Sequence, residues 1–479
     1  MLGIFDGKTG LNMQAFRLLC ALLLLAFCAP LYAFLEPLLD DGEWSAETGF
    51  EYRYFDDPGE FGQEQHALSL RLQGEYVTQW NDEADSMTFV PFVRLDEQDE
   101  NRSHADLREL LWVHVGDSWE LRSGVTRVFW GRTEFNNVVD VVNQTDLVDG
   151  DEEKLGQPMV NLSVVADDWG IIDFYWLIGF RERTFPGPDG RLRLPLVVDT
   201  DNAEYSSDTG PEDMDFAFRW QTTVTDELEM ALSIFSGVDR EPAYTFNFDF
   251  SDPMLIPYYS HIDQLGVELE YLHEGWAFKL EGITVQSEIE DYQSSVTGVE
   301  YTFSGLFGSD VDMTWITEYL WDSRDESAPG FMERDLGMGA RFAFNDETDT
   351  TFLAGMLWDP ETNEKVASFE GERRIFSDFK VKVLARVMME RGEPDLDDST
   401  LEILADLADS PLLDNGLVDR QFVIDWLIDL IQEEGIDVIF NNEGFVPALQ
   451  QLQRLSSADT KLSLVESDDY VQIELIYFY

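Results

Sequence analysis

The residue types that support catalysis are sparse in this chain. It contains five histidines, and none belongs to a His-x-x-x-His or His-Glu-x-x-His pattern, which would place metal ligands on one helix face. No Gly-x-Ser-x-Gly turn presents a serine nucleophile. His104 and Asp106 could form a pair for proton transfer, although an ordinary loop histidine is the simpler interpretation. The sequence therefore predicts a protein that is not an enzyme.

Clustered carboxylates are the second chemical feature. The segment 131–158 is mildly apolar in its middle and rich in charged residues. Those charged residues are Arg132, Glu134, Asp140, Asp146, Asp149, Asp151, Glu152 and Glu153. Carboxylate oxygens suit hard cations, so calcium on the acidic loops is one interpretation, although the spacing does not match the EF-hand loop. Diffuse association of divalent cations is the alternative, and no cofactor is predicted.

Further charged residues alternate with apolar ones, the period-two pattern typical of β-strands. Basic residues come from the first and last alternating segments: Arg71, Arg94, Arg108, Arg374, Lys380, Lys382 and Arg386. Acidic residues come from the middle segments: Glu229, Glu268, Glu270, Glu281, Glu300 and Glu318. The two sets could form separate walls of opposite sign, or they could pair across neighbouring strands.

The elements that position these residues are predicted to be antiparallel strands, counted from Glu43 onward. Eight tight turns alternate with longer, acidic loops. The turns are 81–85, 116–118, 167–168, 225–226, 273–275, 307–310, 345–348 and 377–378. The count is about 18 strands, within a range of about 16 to 20.

Periodicity alone does not separate a soluble sandwich from a membrane barrel, because both place one apolar and one polar face on each strand. Aromatic residues such as Trp80, Trp119 and Trp276 lie near segment ends, where a barrel has its interfacial girdles. No apolar run after residue 33 approaches the roughly 18 residues that a membrane helix needs. A membrane-spanning form would therefore be a closed barrel, in which every backbone N–H and C=O group has a hydrogen-bond partner.

The last residues carry the clearest family signal. Val471, Ile473, Leu475, Tyr477 and Tyr479 share one face of an extended strand, and the chain ends on an aromatic residue. This pattern resembles the terminal strand of bacterial outer-membrane β-barrels, in which such a strand is the assembly signal. The resemblance implies a bacterial outer-membrane location and the barrel-assembly machinery as a partner. An edge strand of a soluble sheet is the alternative.

The remaining segments divide the chain. Residues 1–33 have a basic start, an apolar core and a small residue at the end, which indicates a removable export signal rather than a retained anchor. Residues 34–479 would form an all-β, transmembrane, up-and-down antiparallel barrel. Residues 395–456 show helical spacing and are predicted to be an insert in the last external loop. The net charge of −65 excludes nucleic acid as a partner.

The barrel pattern also resembles porins, which implies passive diffusion of small polar solutes. General porins carry their constriction loop at the position of segment 131–158, between strands five and six, and its acids would form a negative ring that favours cations. Walls of opposite sign would set a transverse field. Outer-membrane lipid and lipopolysaccharide are the other expected partners. A transporter of amphiphilic or apolar compounds, and a closed barrel that acts as an adhesin or assembly partner, are the alternative functions.

Overall fold

A computed structural model describes residues 42–150, 153–247, 253–325, 328–389 and 468–479 of the 479-residue chain. The predicted export signal at 1–33 and the predicted helical insert at 395–456 lie outside the described residues. Asp151 and Glu152 of the acidic segment also lie outside them. No helix among the described residues is long and apolar enough to cross a membrane.

The described chain consists almost entirely of β-strands. In chain order they are β1 Gly42–Phe55, β2 His66–Trp80, β3 Asp85–Asp96, β4 Ala105–Val115, β5 Trp119–Thr126, β6 Gln157–Val165, β7 Ile171–Ile178, β8 Val197–Val198, β9 Glu204–Tyr205, β10 Met214–Thr225, β11 Leu228–Val238, β12 Ala243–Phe246, β13 Met254–Tyr259, β14 His261–His273, β15 Trp276–Ser287, β16 Tyr292–Phe303, β17 Asp312–Asp322, β18 Arg334–Ala343, β19 Thr351–Trp358, β20 Lys365–Phe376, β21 Phe379–Met389 and β22 Tyr470–Phe478. Strands β8, β9, β12 and β13 form a small separate sheet, and the other 18 form one sheet.

The large sheet closes on itself, because β22 pairs antiparallel with both β21 and β1. In the closing register Ile473 lies opposite Tyr52, and Tyr477 lies opposite Thr48. Each barrel strand otherwise pairs with the next barrel strand along the chain, including β7 with β10 and β11 with β14, which gives an up-and-down barrel. The prediction of a closed antiparallel barrel of about 18 strands is therefore confirmed, and the last strand forms its seam.

The two faces of the wall differ sharply. Side chains such as Phe50, Ile473 and Phe216 point outward and remain 41%, 47% and 56% exposed, whereas the intervening Glu51 and Glu474 point inward and are buried. A soluble sandwich would press its apolar faces together and leave the charges in water. The outward apolar face and the charged interior are instead the arrangement of a barrel in a bilayer.

All eight predicted tight turns connect consecutive barrel strands, and they lie at one end of the barrel. Several contain residues with a positive φ, as at Asn81 (57°) and Asn345 (51°), which polar residues such as asparagine tolerate better than branched ones do. The longer connections lie at the opposite end. This asymmetry is typical of outer-membrane barrels, whose short turns lie in the periplasm and whose long loops lie outside the cell.

A matched pair of adjacent residues tests which face meets lipid. Leu72 points outward near the middle of β2, whereas Gln73 points inward and pairs in register with Glu47. We expect Leu72→Arg to lower the free energy of unfolding by about 2–4 kcal/mol, because it places a cation in hydrocarbon. Gln73→Arg should have a much smaller effect, since the new charge faces the polar interior opposite Glu47, which already binds Arg71. Urea unfolding in lipid vesicles, followed by tryptophan fluorescence, measures both, and equal losses would contradict the assigned faces.

Candidate functional site

The connection between β5 and β6, residues 127–156, folds into the barrel, and we call it the inserted loop. Trp130, Val139 and Val142 of this loop are 3%, 0% and 0% exposed. They pack in one apolar cluster with inward side chains of the wall. Those wall residues are Met159, Tyr175, Leu177, Ala217, Phe235, Ile262 and Val285. The loop therefore covers the inner wall from β6 to β15. Segment 131–158, predicted between strands five and six, falls where this loop does.

Two buried carboxylates hold the first part of the inserted loop through its backbone. Glu281 accepts hydrogen bonds from the backbone N–H groups of Arg132 and Thr133, the latter at 2.9 Å, and from the Thr133 hydroxyl at 2.8 Å. Glu318 accepts from the backbone N–H groups of Glu134 at 2.7 Å and Phe135 at 2.9 Å. Both carboxylates come from the predicted acidic wall. They act as fixed acceptors for four consecutive loop residues.

The Arg132 side chain joins the same wall. Its guanidinium lies 2.6 Å from Glu270, 3.0 Å from Glu229 and 3.6 Å from Glu268. Glu268 is also bound through both oxygens by Arg219, at 2.8 Å each. Because these carboxylates surround one loop arginine, the wall and the loop neutralise each other at close range.

An aromatic contact fixes the loop farther along the wall. The ring of Phe135 lies against Gly337, Gly339 and Gly355, which point inward from β18 and β19. A side chain at Gly337 would overlap the ring, and a Cβ atom at Gly339 or Gly355 would lie 3.4 or 3.3 Å from it. The three glycines thus form a slot that accommodates this aromatic ring. Nothing in the sequence pattern indicated this slot.

The later part of the inserted loop contacts the basic wall. Asp146 lies 2.7 Å from Arg108, and Asp149 lies 2.5 Å from Arg94 and also binds Arg108. The side chains of both aspartates are at most 2% exposed. The Thr184 hydroxyl donates a further hydrogen bond of 2.6 Å to Asp146. The loop is therefore tied to two different parts of the wall, and these two acids face arginines rather than open lumen.

The other predicted residues also have identifiable surroundings. Most of them pair with a neighbour. The pairs are Arg71 with Glu47 and Glu474, Arg374 with Asp349, Lys380 with Glu372, Lys279 with Glu300, Glu134 with Arg341, Asp140 with Lys154 and Glu153 with Arg127. Lys382 is exposed, and Arg386 lies opposite Tyr470 in register. A transverse field between the two walls stays a prediction.

One described cluster has the residue types of a metal site. His104, Asp146 and Asp149 have ligand atoms within 4.8 Å of one another. Arg108 and Arg94 already neutralise the two carboxylates, which disfavours a divalent cation here. Burial lowers the pKa of His104, and the attraction of Asp146 opposes this. Burial also raises the pKa of the loop residue Asp140, and the attraction of Lys154 opposes this.

Sequence reasoning missed several partners at this site. Glu47, Glu51 and Arg341 lie on inward positions that the period-two pattern could have marked. Glu51 lies 3.1 Å from Arg94 and 2.8 Å from Arg102, both of which are buried. Arg102 comes from the connection after β3, where no alternation exists to place it. Long-range pairing of this kind requires the register of the barrel.

Comparisons with known proteins found similar structures but no similar sequence family. No protein-family model matches the chain, and no curated protein sequence does. The Pseudomonas aeruginosa structures OccK10 (OpdN) and OccK5 (OpdH) each superpose with a TM-score of 0.46, over 92% of this chain and 98% of that one, at 11% and 9% identity. A triple mutant of the Rh. blastica porin superposes with a TM-score of 0.38 over 91% of this chain and 100% of that one, at 10% identity. The closed wall, its outward apolar face and its charged interior therefore define this protein as an 18-stranded antiparallel β-barrel of the bacterial outer-membrane type.

Proposed function

We propose that the protein is a passive channel through which small polar solutes diffuse across the outer membrane, with a preference for cations and without catalysis. The observation that supports this best is the inserted loop, which narrows the lumen and is held by charged and polar contacts. A constriction fixed in this way selects by size and charge without a moving part. Charged groups around a water-filled path favour polar solutes over apolar ones.

The proposed cation preference does not depend on every acidic residue of the loop. Asp146 and Asp149 are buried against arginines and contribute little field to the path. Glu153 and Glu229 keep side chains that are 52% and 49% exposed, although each has an arginine partner. Exposed carboxylates of this kind attract mobile cations, and the net charge of −65 acts in the same direction.

A stably closed barrel is the competing function, and the dense apolar packing behind the inserted loop favours it. Single-channel recording in planar bilayers separates the two. We expect stepwise conductance and, under a salt gradient, a reversal potential of the sign given by a cation-preferring pore. Silence of verified insertions would favour the closed barrel, and an anion-selective reversal potential would contradict the proposed preference.

The contribution of the exposed carboxylates Glu153 and Glu229 to cation preference can be tested by substitution. We expect the double variant Glu153→Gln and Glu229→Gln to reduce cation preference while conducting steps persist, because two partly exposed negative charges are removed from the path. Glu290→Gln, in the exposed connection after β15, is the matched control and should leave the reversal potential nearly unchanged. If the double variant and the control give the same reversal potential as the unaltered protein, other residues set the selectivity.

The slot for Phe135 offers a test of the constriction. We expect Gly337→Val to displace the ring, because overpacking costs about 1–3 kcal/mol and movement of the loop relieves it. The expected result is a larger and noisier open-channel current. Gly371→Val is the control, since a Cβ atom there has only ordinary contact with Phe352, at 3.6 Å.

A second substitution distinguishes displacement of the loop from damage to the barrel. Phe135→Ala removes the ring and should give a similar increase in current. Adding Gly337→Val to Phe135→Ala should then change little, because the contact no longer exists. Additive effects on current, or loss of the folded form on unheated gels in the double variant alone, would contradict the assigned contact.

We further propose that β22 is the strand by which the barrel-assembly machinery recognises the chain. Its support is the pairing of β22 with β1 at the seam, together with outward Val471, Ile473 and Leu475, which are 43%, 47% and 38% exposed.

A further inference from the structure

Two inward side chains of opposite charge, Glu370 on β20 and Lys382 on β21, have no charged partner. Both point into the lumen, because they alternate with the outward residues Phe369 and Val383, which are 43% and 40% exposed. Lys382 is exposed and Glu370 is partly exposed. Among the residues that the structure describes, neither side chain forms an ion pair or a hydrogen bond. Each therefore keeps an unneutralised charge at the surface of the lumen.

The register of the strands explains why Lys382 stays unpaired. It lies directly opposite two carboxylates, Glu372 on β20 and Glu474 on β22. Another cation already holds each of them, because Lys380 lies 3.2 Å from Glu372, and Arg71 binds Glu474. The ammonium group of Lys382 therefore remains available to a solute.

Leucine side chains flank Glu370 on both sides. It lies opposite Leu353 on β19 and opposite Leu384 on β21. Directly opposite residues of an antiparallel pair have Cβ atoms about 4.5–5.5 Å apart, and diagonal neighbours are about 7–8 Å apart. Lys382 comes two residues before Leu384 and is such a diagonal neighbour of Glu370. We call Leu353, Glu370, Lys382 and Leu384 the Glu370 patch.

The Glu370 patch adjoins the inserted loop. Leu353 lies opposite Arg341 on β18, and Arg341 forms an ion pair with Glu134 of that loop. Because neighbouring strands are about 4.8 Å apart, Glu370 is about 10 Å along the wall from Arg341. A solute that passes the loop on this side of the lumen comes close to both unpaired charges.

We propose that the Glu370 patch binds small zwitterionic solutes with an apolar side chain, the chemical class of the apolar α-amino acids. The ammonium group of the solute binds Glu370, its carboxylate binds Lys382, and its side chain packs against Leu353 and Leu384. This inference rests on the proposed channel function and names a substrate class for it.

The two charges of the patch favour a zwitterion over a simple ion. A lone cation is attracted by Glu370 and repelled by Lys382, and a lone anion experiences the reverse, so the two energies largely cancel. A zwitterion places each of its charges beside the opposite charge of the wall, where both charge-assisted hydrogen bonds can form. The leucine side chains add a contribution from buried apolar area, which a wholly polar solute lacks.

Saturation-transfer NMR of the full-length protein, folded in detergent, measures solute binding without requiring a current. Free leucine is the probe. Its analogue 4-methylpentanoate lacks the ammonium group, and 3-methylbutylamine lacks the carboxylate. We expect leucine to bind and each analogue to bind about tenfold more weakly, because each has lost one charge-assisted hydrogen bond.

Substitutions within the patch test the two contacts separately. We expect Glu370→Gln and Lys382→Gln each to weaken leucine binding about tenfold, because each removes one charge while keeping a side chain of similar length. Exchange of the charges, Glu370→Lys together with Lys382→Glu, should restore much of the affinity, since a zwitterion can bind in the reverse orientation.

Each single variant has a matched control outside the patch. Glu75→Gln removes an exposed inward carboxylate of β2, and Arg122→Gln removes an inward cation of β5 whose side chain is 46% exposed. Both should bind leucine like the unaltered protein. Equal binding of leucine and its two analogues, or equal affinities of Glu370→Gln and Glu75→Gln for leucine, would overturn the proposal.

The outcomes also separate this inference from the proposed channel function. Conducting steps in planar bilayers without leucine binding would overturn the zwitterion site alone. Leucine binding by a barrel that gives no current would support the site and contradict the channel. Heat-dependent gel migration verifies that every variant is folded.

Discussion

A strand in hydrocarbon has no water to satisfy its backbone, and this constraint governs the whole structure. Every N–H and C=O group of the wall needs a partner in a neighbouring strand, so the sheet cannot have an open edge. Strand β22 meets the requirement by pairing with β1 on one side and β21 on the other. The alternation of apolar and polar residues follows from closure, because a closed wall has one lipid face and one enclosed face.

Closure of the barrel also favours pairing of the inward charged side chains with one another. Inward side chains share an enclosed interior, where an unpaired buried charge costs several kcal/mol. The described interior accordingly holds many close ion pairs, such as Arg94 with Glu51 and Arg219 with Glu268. The inserted loop takes part in the same pairing, since Arg132 joins one wall and Asp146 joins the other. The charged side chains of the inserted loop and those of the wall thus compensate one another, so the loop is an integral part of the barrel interior.

The strands were predictable because their signal is local. A period of two in segments such as β1 and β22 assigns both faces, and polar turn residues such as Asn81 and Asn345 mark where strands reverse. The contacts of the candidate site depend instead on residues far apart in sequence. Arg94 meets Asp149 and Phe135 meets Gly337 only after the barrel has closed in one register. The sequence pattern placed the acids of the loop near the lumen but could not tell which of them would be buried against arginine.

Whether a loop carboxylate is buried against arginine or exposed matters more for the ion selectivity of the proposed channel than the number of carboxylates does. A buried carboxylate beside a guanidinium presents little field to the path, whereas a half-exposed one still attracts cations. Glu281 and Glu318 differ from both, because their hydrogen-bond donors include backbone N–H groups of the loop, which carry no formal charge. These two carboxylates position the loop against the wall. In the proposed channel, size selection and charge selection are therefore coupled, because a change that releases the loop also breaks the ion pairs of Arg132, Asp146 and Asp149 with the wall.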